Sequence, residues 1–173
     1  MAENDQQAAA GSNQNDNQNQ PQFALQRIYL KDLSFESPNA PEVFQQQWKP
    51  AVNMDLNTSH SKVSDTQYEV VLSMTITAKV DDKVAYLVEI QQAGVFLLNG
   101  FPEQQIPPML GAYCPNLLFP YARETIDNVV NKGSFPSLML APVNFDAIFA
   151  QAVRRRQEEQ GEPSAAQETP QTH

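Results

Sequence analysis

YEVVLSMTITAKV at 68–80, DDK at 81–83 and VAYLVEIQQAGVF at 84–96 together decide the fold. In the first run Tyr68, Val70, Leu72, Met74, Ile76 and Val80 share one parity, and Glu69, Ser73, Thr75, Thr77 and Lys79 the other. That period of two belongs to a β-strand with one buried face, and the β-branched content agrees. Asp81, Asp82 and Lys83 form a tight turn, so the second run pairs back as a hairpin. In it Val84, Tyr86, Val88 and Ile90 share a face, while Ala85, Leu87, Glu89 and Gln91 take the other.

Upstream, FALQRIYLKDLSFE (23–36) reads as a first strand, with Leu33 and Phe35 opposed to Asp32, Ser34 and Glu36. SPNAPEVFQQQW (37–48) follows, with Pro41 early in a short helical turn and Pro50 ending anything regular. AVNMDLNTS (51–59) is a second strand in which Val52, Met54 and Leu56 alternate with Asn53, Asp55 and Asn57. The prediction is a four-stranded antiparallel sheet with one buried face.

Downstream the pattern changes. LNGFPEQQIPPMLGAYCPN (98–116) is loop-like and punctuated by proline, with one short helical turn around Met109 to Ala112. PYARETIDNVVNKG (120–133) predicts a helix with Pro120 in its first turn, Gly133 at its stop and Ile126, Val129 and Val130 as its stripe. VNFDAIFAQAVRRR (143–156) predicts another, with Asn144 as N-cap and Arg154, Arg155 and Arg156 facing the negative end of the dipole. Its apolar face is Phe145, Ile148, Phe149 and Ala152. Strands first and helices last make an α+β protein. The apolar stretches LLF and SLML exceed what two short helices can hide, which predicts burial against another copy of the chain.

The ends differ from the middle. Residues 1–22 hold eleven Asn or Gln and predict a disordered extension; residues 154–173 read the same way as a disordered tail. The folded unit is then 23–153. Net charge is −9, and 23–153 carry thirteen acidic against eight basic residues, or −5. An acidic surface repels phosphate backbones and suits a partner with a basic patch, so nucleic acid is excluded. No apolar run reaches the length of a membrane span, and a single cysteine fits a reducing compartment. These features predict a soluble, cytoplasmic protein without direct membrane insertion.

Catalytic chemistry finds little support. Cys114 would need an activating base, and the histidines are His60, in a polar segment, and His173, the last residue. One cysteine and one usable histidine fall short of a structural zinc set, and a buried cysteine is the simpler reading. Asp81 and Asp82 fit a turn, Glu124 and Asp127 a solvated helix face, and the six glycines form no phosphate-binding loop. The prediction is no enzyme, no metal and no cofactor. Two apolar features stand out instead. Phe44, Trp48, Val52, Met54, Leu56, Phe145 and Phe149 fill a core or line a groove that accepts varied apolar side chains; the sequence leaves both open. Asp32 and Glu36, with Leu87 and Glu89 on the less apolar parity of their strand, are either solvated or a leucine hot spot ringed by carboxylates.

GAYCPNLLFPYARETIDNVV (111–130), GSFPSLMLAPVNFDAIF (133–149), IYLKDLSFESPNAP (28–41) and FQQQW (44–48) resemble the SecB family of bacterial protein-export chaperones. The resemblance runs in order over 23–153, and the N-terminal extension is longer than the family leads one to expect. It implies a protomer of a four-stranded sheet with helices packed on it, pairing into dimers and a dimer-of-dimers homotetramer. It further implies ATP-independent binding of unfolded precursor polypeptides and their delivery to the SecA motor. Carried over by position, the acidic SecA-binding patch falls on Asp32, Glu36, Leu87 and Glu89. Val88, Ile90 and Gln92 match positions associated with tetramer assembly. Trp48, Val52, Met54, Leu56 and Phe149 are the choices for the client groove. Zinc belongs to SecA in this resemblance. A SecB-like chaperone dedicated to one client, such as an antitoxin, and more remotely a small-ligand enzyme are the alternatives.

Overall fold

The alternation at 68–80 becomes strand β3 (Gln67–Val80), and the returning run becomes β4 (Lys83–Asn99), in a computed structural model that describes residues 20–161. Asp81 and Asp82 join them with φ of 47° and 63°, so both sit in the left-handed region that a two-residue hairpin turn requires. β1 (Gln22–Glu36) flanks β4 and β2 (Ala51–Lys62) flanks β3, giving an antiparallel sheet in the order β1-β4-β3-β2. Leu72 faces Gln92, Met74 faces Ile90 and Ile76 faces Val88 across the central ladder. Val70, Leu72, Met74, Ile76, Tyr86, Val88 and Ile90 are all buried on that one face. The hairpin and the sheet are as the sequence predicts.

β1 contains two breaks in register against β4, at Leu25/Arg27 and at Leu30/Asp32. Each inserts one residue, and each therefore reverses the face on which the following residues emerge.

After β4 the chain passes through a 3-10 turn (Glu103–Gln105), α1 (Ile106–Pro108) and a π turn (Met109–Tyr113) into α2 (Cys114–Lys132). Leu118, Phe119, Ala122, Ile126 and Val130 bury the inner stripe of α2 against the sheet. The helix thus begins well before the predicted Pro120, which lies inside it; Pro115 occupies the first turn instead. An internal proline is tolerated because Asn116 and Pro120 both face outward, where solvent reaches the carbonyl left without a donor. At the far end the left-handed residue is Ser134 (φ 66°), and Gly133 has φ of −75°. Glycine at 133 is required by packing, since a Cβ there would overlap the Phe35 ring.

α3 (Phe145–Gly161) starts as predicted, with Asn144 Oδ1 accepting from the Ala147 N–H at 3.0 Å. It runs past 156, where the predicted helix ends. Arg154 to Glu159 are strong helix formers, and Arg154 and Arg155 lie four residues from Glu158 and Glu159, so the helix continues past its expected end. The three arginines are consequently mid-helix residues and do not complement its C-terminus. The expected disorder at 1–19 and 162–173 falls outside the described residues.

Gly94 marks a close contact between sheet and helix. A Cβ there would lie 2.9 Å from Leu118 Cδ2, 2.9 Å from the Phe96 ring and 3.1 Å from the Arg27 carbonyl oxygen. Gly94→Ala should therefore destabilise the protein by about 1–3 kcal/mol, because the backbone oxygen cannot move aside as a side chain can. The urea unfolding midpoint checks this; an unchanged or raised midpoint contradicts the packing described.

Candidate functional site

The four predicted patch residues come together on the face of the sheet opposite the helices. Glu36 lies directly across from Leu87, Ser34 from Glu89 and Asp32 from Gln91. Ser34 Oγ donates to Glu89 Oε2 at 3.3 Å. Asp32, Glu36 and Glu89 are exposed and Leu87 is half-buried among them. Asp32 and Glu89, with Ser73, Thr75 and Gln91, rim a shallow depression of about 140 Å³.

One cation of this face, Lys31, is already engaged. Lys31 Nζ bonds both carboxylate oxygens of Glu69 at 2.9 Å, and the Tyr29 hydroxyl donates to the same carboxylate. The Tyr29 bond and then the Lys31 bond hold the Glu69 carboxyl below its ordinary range. The bond to Glu69, with burial, pushes the Tyr29 phenol up to about 12. Among the described residues the salt bridges are Lys31–Glu69 and Lys62–Asp65. Asp32, Glu36 and Glu89 thus present uncompensated negative charge around an apolar centre.

The predicted groove residues occupy the other face. Val52, Met54 and Leu56 lie opposite Ala78, Ile76 and Met74, on the helix side of edge strand β2. α2 packs on β4 and β3 and stops short of β2, so Val52 and Met54 remain 42% and 38% exposed. Val52 to Leu56 makes an apolar ledge roughly 13 Å long. Trp48 stands at one end, its ring stacked on Tyr86 at 6.3 Å and tilted against Phe135 at 5.4 Å. At the other end Leu56 and Phe149 share a cavity of about 180 Å³ with Gly111, Ile148 and Ala152. The Phe149 ring lies over Gly111, where any Cβ would overlap it.

Phe135 escaped the sequence reading. It lies in the proline-rich link after α2, yet it is buried and its ring contacts Tyr86, Trp48, Phe44 and Phe35 at 5.0–6.5 Å. A single aromatic outside any periodic segment carries no local signal of this role.

Val88, Ile90 and Gln92 are 0%, 1% and 3% exposed beneath the chain's own helices. Even parity in β4 is the core face, and a protomer's core is what these residues fill. His60 is an exposed residue of β2, whereas Cys114 is fully buried in the core. Desolvation pushes the Cys114 thiol up to about 12, far from the reactivity of a nucleophile. Among the described residues no cluster of His, Cys, Asp and Glu suits a metal, and no helix is long and apolar enough to cross a membrane.

A family model described as preprotein translocase subunit SecB matches residues 16–156. The chain belongs to the SecB family. It is 74% identical over 159 residues to the protein-export protein SecB of Marinobacter nauticus, covering 92% of this chain and 93% of that one. Against the protein of the same name in Hahella chejuensis it is 68% identical over 145 residues, covering 84% and 91%. Among solved structures, a SecB-like chaperone of Mycobacterium tuberculosis in complex with a peptide from the HigA1 antitoxin superposes with a TM-score of 0.60. That match is 14% identical and covers 70% of this chain and 90% of the other, and it shows the shared α+β fold. SecB proteins are protein-export chaperones, and the chaperone function follows for this chain from identity over most of its length.

The buried thiol has a measurable signature. Cys114 should resist a disulfide reagent at pH 8 in the native protein and react at once in denaturant; fast native labelling contradicts its burial. Unfolded cysteine ionises near 9.0 and the folded one near 12. The stability its neutral form contributes is therefore full below pH 9.0 and lost as pH rises through that window. Tyr86, raised first by burial and then by Asp127, acts in the same direction. Urea midpoints should fall between pH 9 and 11.

Proposed function

We propose that the protein is a cytoplasmic, ATP-independent chaperone that binds unfolded precursors along the β2 ledge and hands them to SecA through the acidic patch. The observation that carries this is the disposition of the two surfaces. Adjacent residues of a strand serve opposite faces, so an apolar client on one side leaves the carboxylates of the other side free. Client and motor can then be held together, which a hand-over requires.

The ledge supports clients without sequence readout. Val52, Met54 and Leu56 offer apolar area, methionine adapts to varied shapes, and aromatic rings close both ends. Folded proteins escape because their apolar segments are already buried. The carboxylates around Leu87 suit a basic segment of the partner, which fits the role assigned to SecA. No catalytic step is part of this function.

Assembly into a homotetramer is part of the same proposal. The outward face of α2, with Asn116, Pro120, Tyr121, Arg123 and Glu124, is free in the single chain. Val88, Ile90 and Gln92 would act on that interface from beneath, by setting how α2 seats on the sheet. Four ledges on one particle raise the local concentration of sites, so a long client binds more tightly than a short one. The high identity to export proteins favours this over a chaperone dedicated to one antitoxin, whose solved example is 14% identical.

Two substitutions separate the surfaces. Leu87→Ala should weaken SecA binding about tenfold while capture of an unfolded precursor persists. Replacing Val52 and Met54 by serine should do the reverse, weakening the precursor and sparing SecA. Calorimetry with each partner measures both; losses that fall on both partners in each variant contradict two separate surfaces. SecA binding should also weaken as salt is raised, and a salt-independent affinity would count against the carboxylate rim.

A further inference from the structure

Among buried residues with polar side chains in the core face of β4, Gln92 is 3% exposed. Its Nε2 donates at 2.9 Å to the carbonyl oxygen of Tyr29, one residue before the register break at Leu30/Asp32. Tyr29 lies opposite Ala93 and Leu30 opposite Gln92; Lys31 is the inserted residue, and Asp32 then lies opposite Gln91.

That insertion decides where the acidic row points. In an unbroken ladder Lys31 would face Gln91, and Asp32, Ser34 and Glu36 would turn inward onto the helix face. Leu33 and Phe35 would turn outward. The bulge restores the agreement between apolar pattern and core, and it is the reason three polar residues of β1 join Leu87 and Glu89 outside. A bulge leaves the ladder locally unpaired, and β1 is an edge strand with a neighbour on one side alone. A buried amide donated to the backbone at that point supplies a bond the ladder lacks, and the amide itself would be costly to bury unpaired.

We propose that Gln92 is a positioning residue that holds the β1 bulge and thereby keeps Asp32 and Glu36 in the outer patch. The inference rests on that patch being the SecA-binding surface only for its functional consequence; the structural role stands separately. Gln92, 3% exposed, acts through the backbone of Tyr29.

The test has a wild-type arm and a variant arm. In the unmodified protein the Gln92 side-chain amide protons should exchange with solvent far more slowly than those of exposed glutamines; free exchange overturns the proposal. Gln92→Met keeps length and apolar bulk and removes the donor. Backbone amides of residues 31–36 should then exchange at least several-fold faster than in the parent, and SecA affinity should fall about tenfold. Combining Gln92→Met with Glu36→Ala should cost no more than the worse single change, because the two act on one surface. Exchange at 31–36 unaltered by Gln92→Met, or strictly additive losses, overturns the proposal. Should the parent protein fail to bind SecA at all, the patch reading falls alone, and the two exchange measurements still decide the role of Gln92.

Discussion

The structure depends on the parity of the β3–β4 ladder. Leu72, Met74, Ile76, Val88 and Ile90 lie on one face because strand side chains alternate, and among the described residues no other strand pair offers a comparable buried apolar surface. Once that face is buried, the residues between them have no choice. Thr75, Leu87 and Glu89 must emerge on the opposite side, together with whatever β1 and β2 place beside them. Both candidate surfaces are consequences of one alternation, which is why a one-residue slip would damage core and surface together.

A second constraint is width. An α-helix with its side chains is roughly 10–12 Å across, while four strands at roughly 4.8 Å spacing span more than that. One helix cannot roof the sheet. α2 settles over β4 and β3, where the largest aliphatic side chains stand, and the flanking strands keep apolar residues that it does not reach. Val52 and Met54 on β2 and Leu30 on β1, 46% exposed, are the remainder. α3 narrows this deficit at one end only, where Phe149 meets Leu56 over Gly111. An exposed ledge is thus what a short protein gets when a broad sheet is covered by a narrow helix.

Much of this was legible because it is local. Alternation at 68–80, the Asp81–Asp82 turn and the Asn144 cap each declare themselves within a few residues. The failures share a different cause. Pro120 reads as a helix start from composition, but the π turn at 109–113 and Pro115 let the helix begin earlier, and outward placement of Asn116 and Pro120 makes the internal proline tolerable. Phe135 packs into an aromatic cluster assembled from four separate segments, which no window of sequence contains. The parity of Val88, Ile90 and Gln92 assigns them to the buried face of β4. The outward face of the acidic row follows from the parity at either end of β1, where Phe23 and Leu25, like Leu33 and Phe35, point inward; the stretch between the two bulges, Ile28 and Leu30, has the other parity, because the two reversals cancel.

The same geometry explains how weak contacts can serve a specific task. In the proposed function each ledge residue would contribute little, since Val52 and Met54 already keep part of their surface covered and a client would give up chain entropy to lie along them. A single ledge is therefore a poor trap for a short peptide and a useful one for a long chain that can return to it or reach another copy. Release would need no large energy input for the same reason. In the proposed hand-over a partner docked on the carboxylates of the opposite face would compete for one segment at a time, held within reach by the ladder between the two faces.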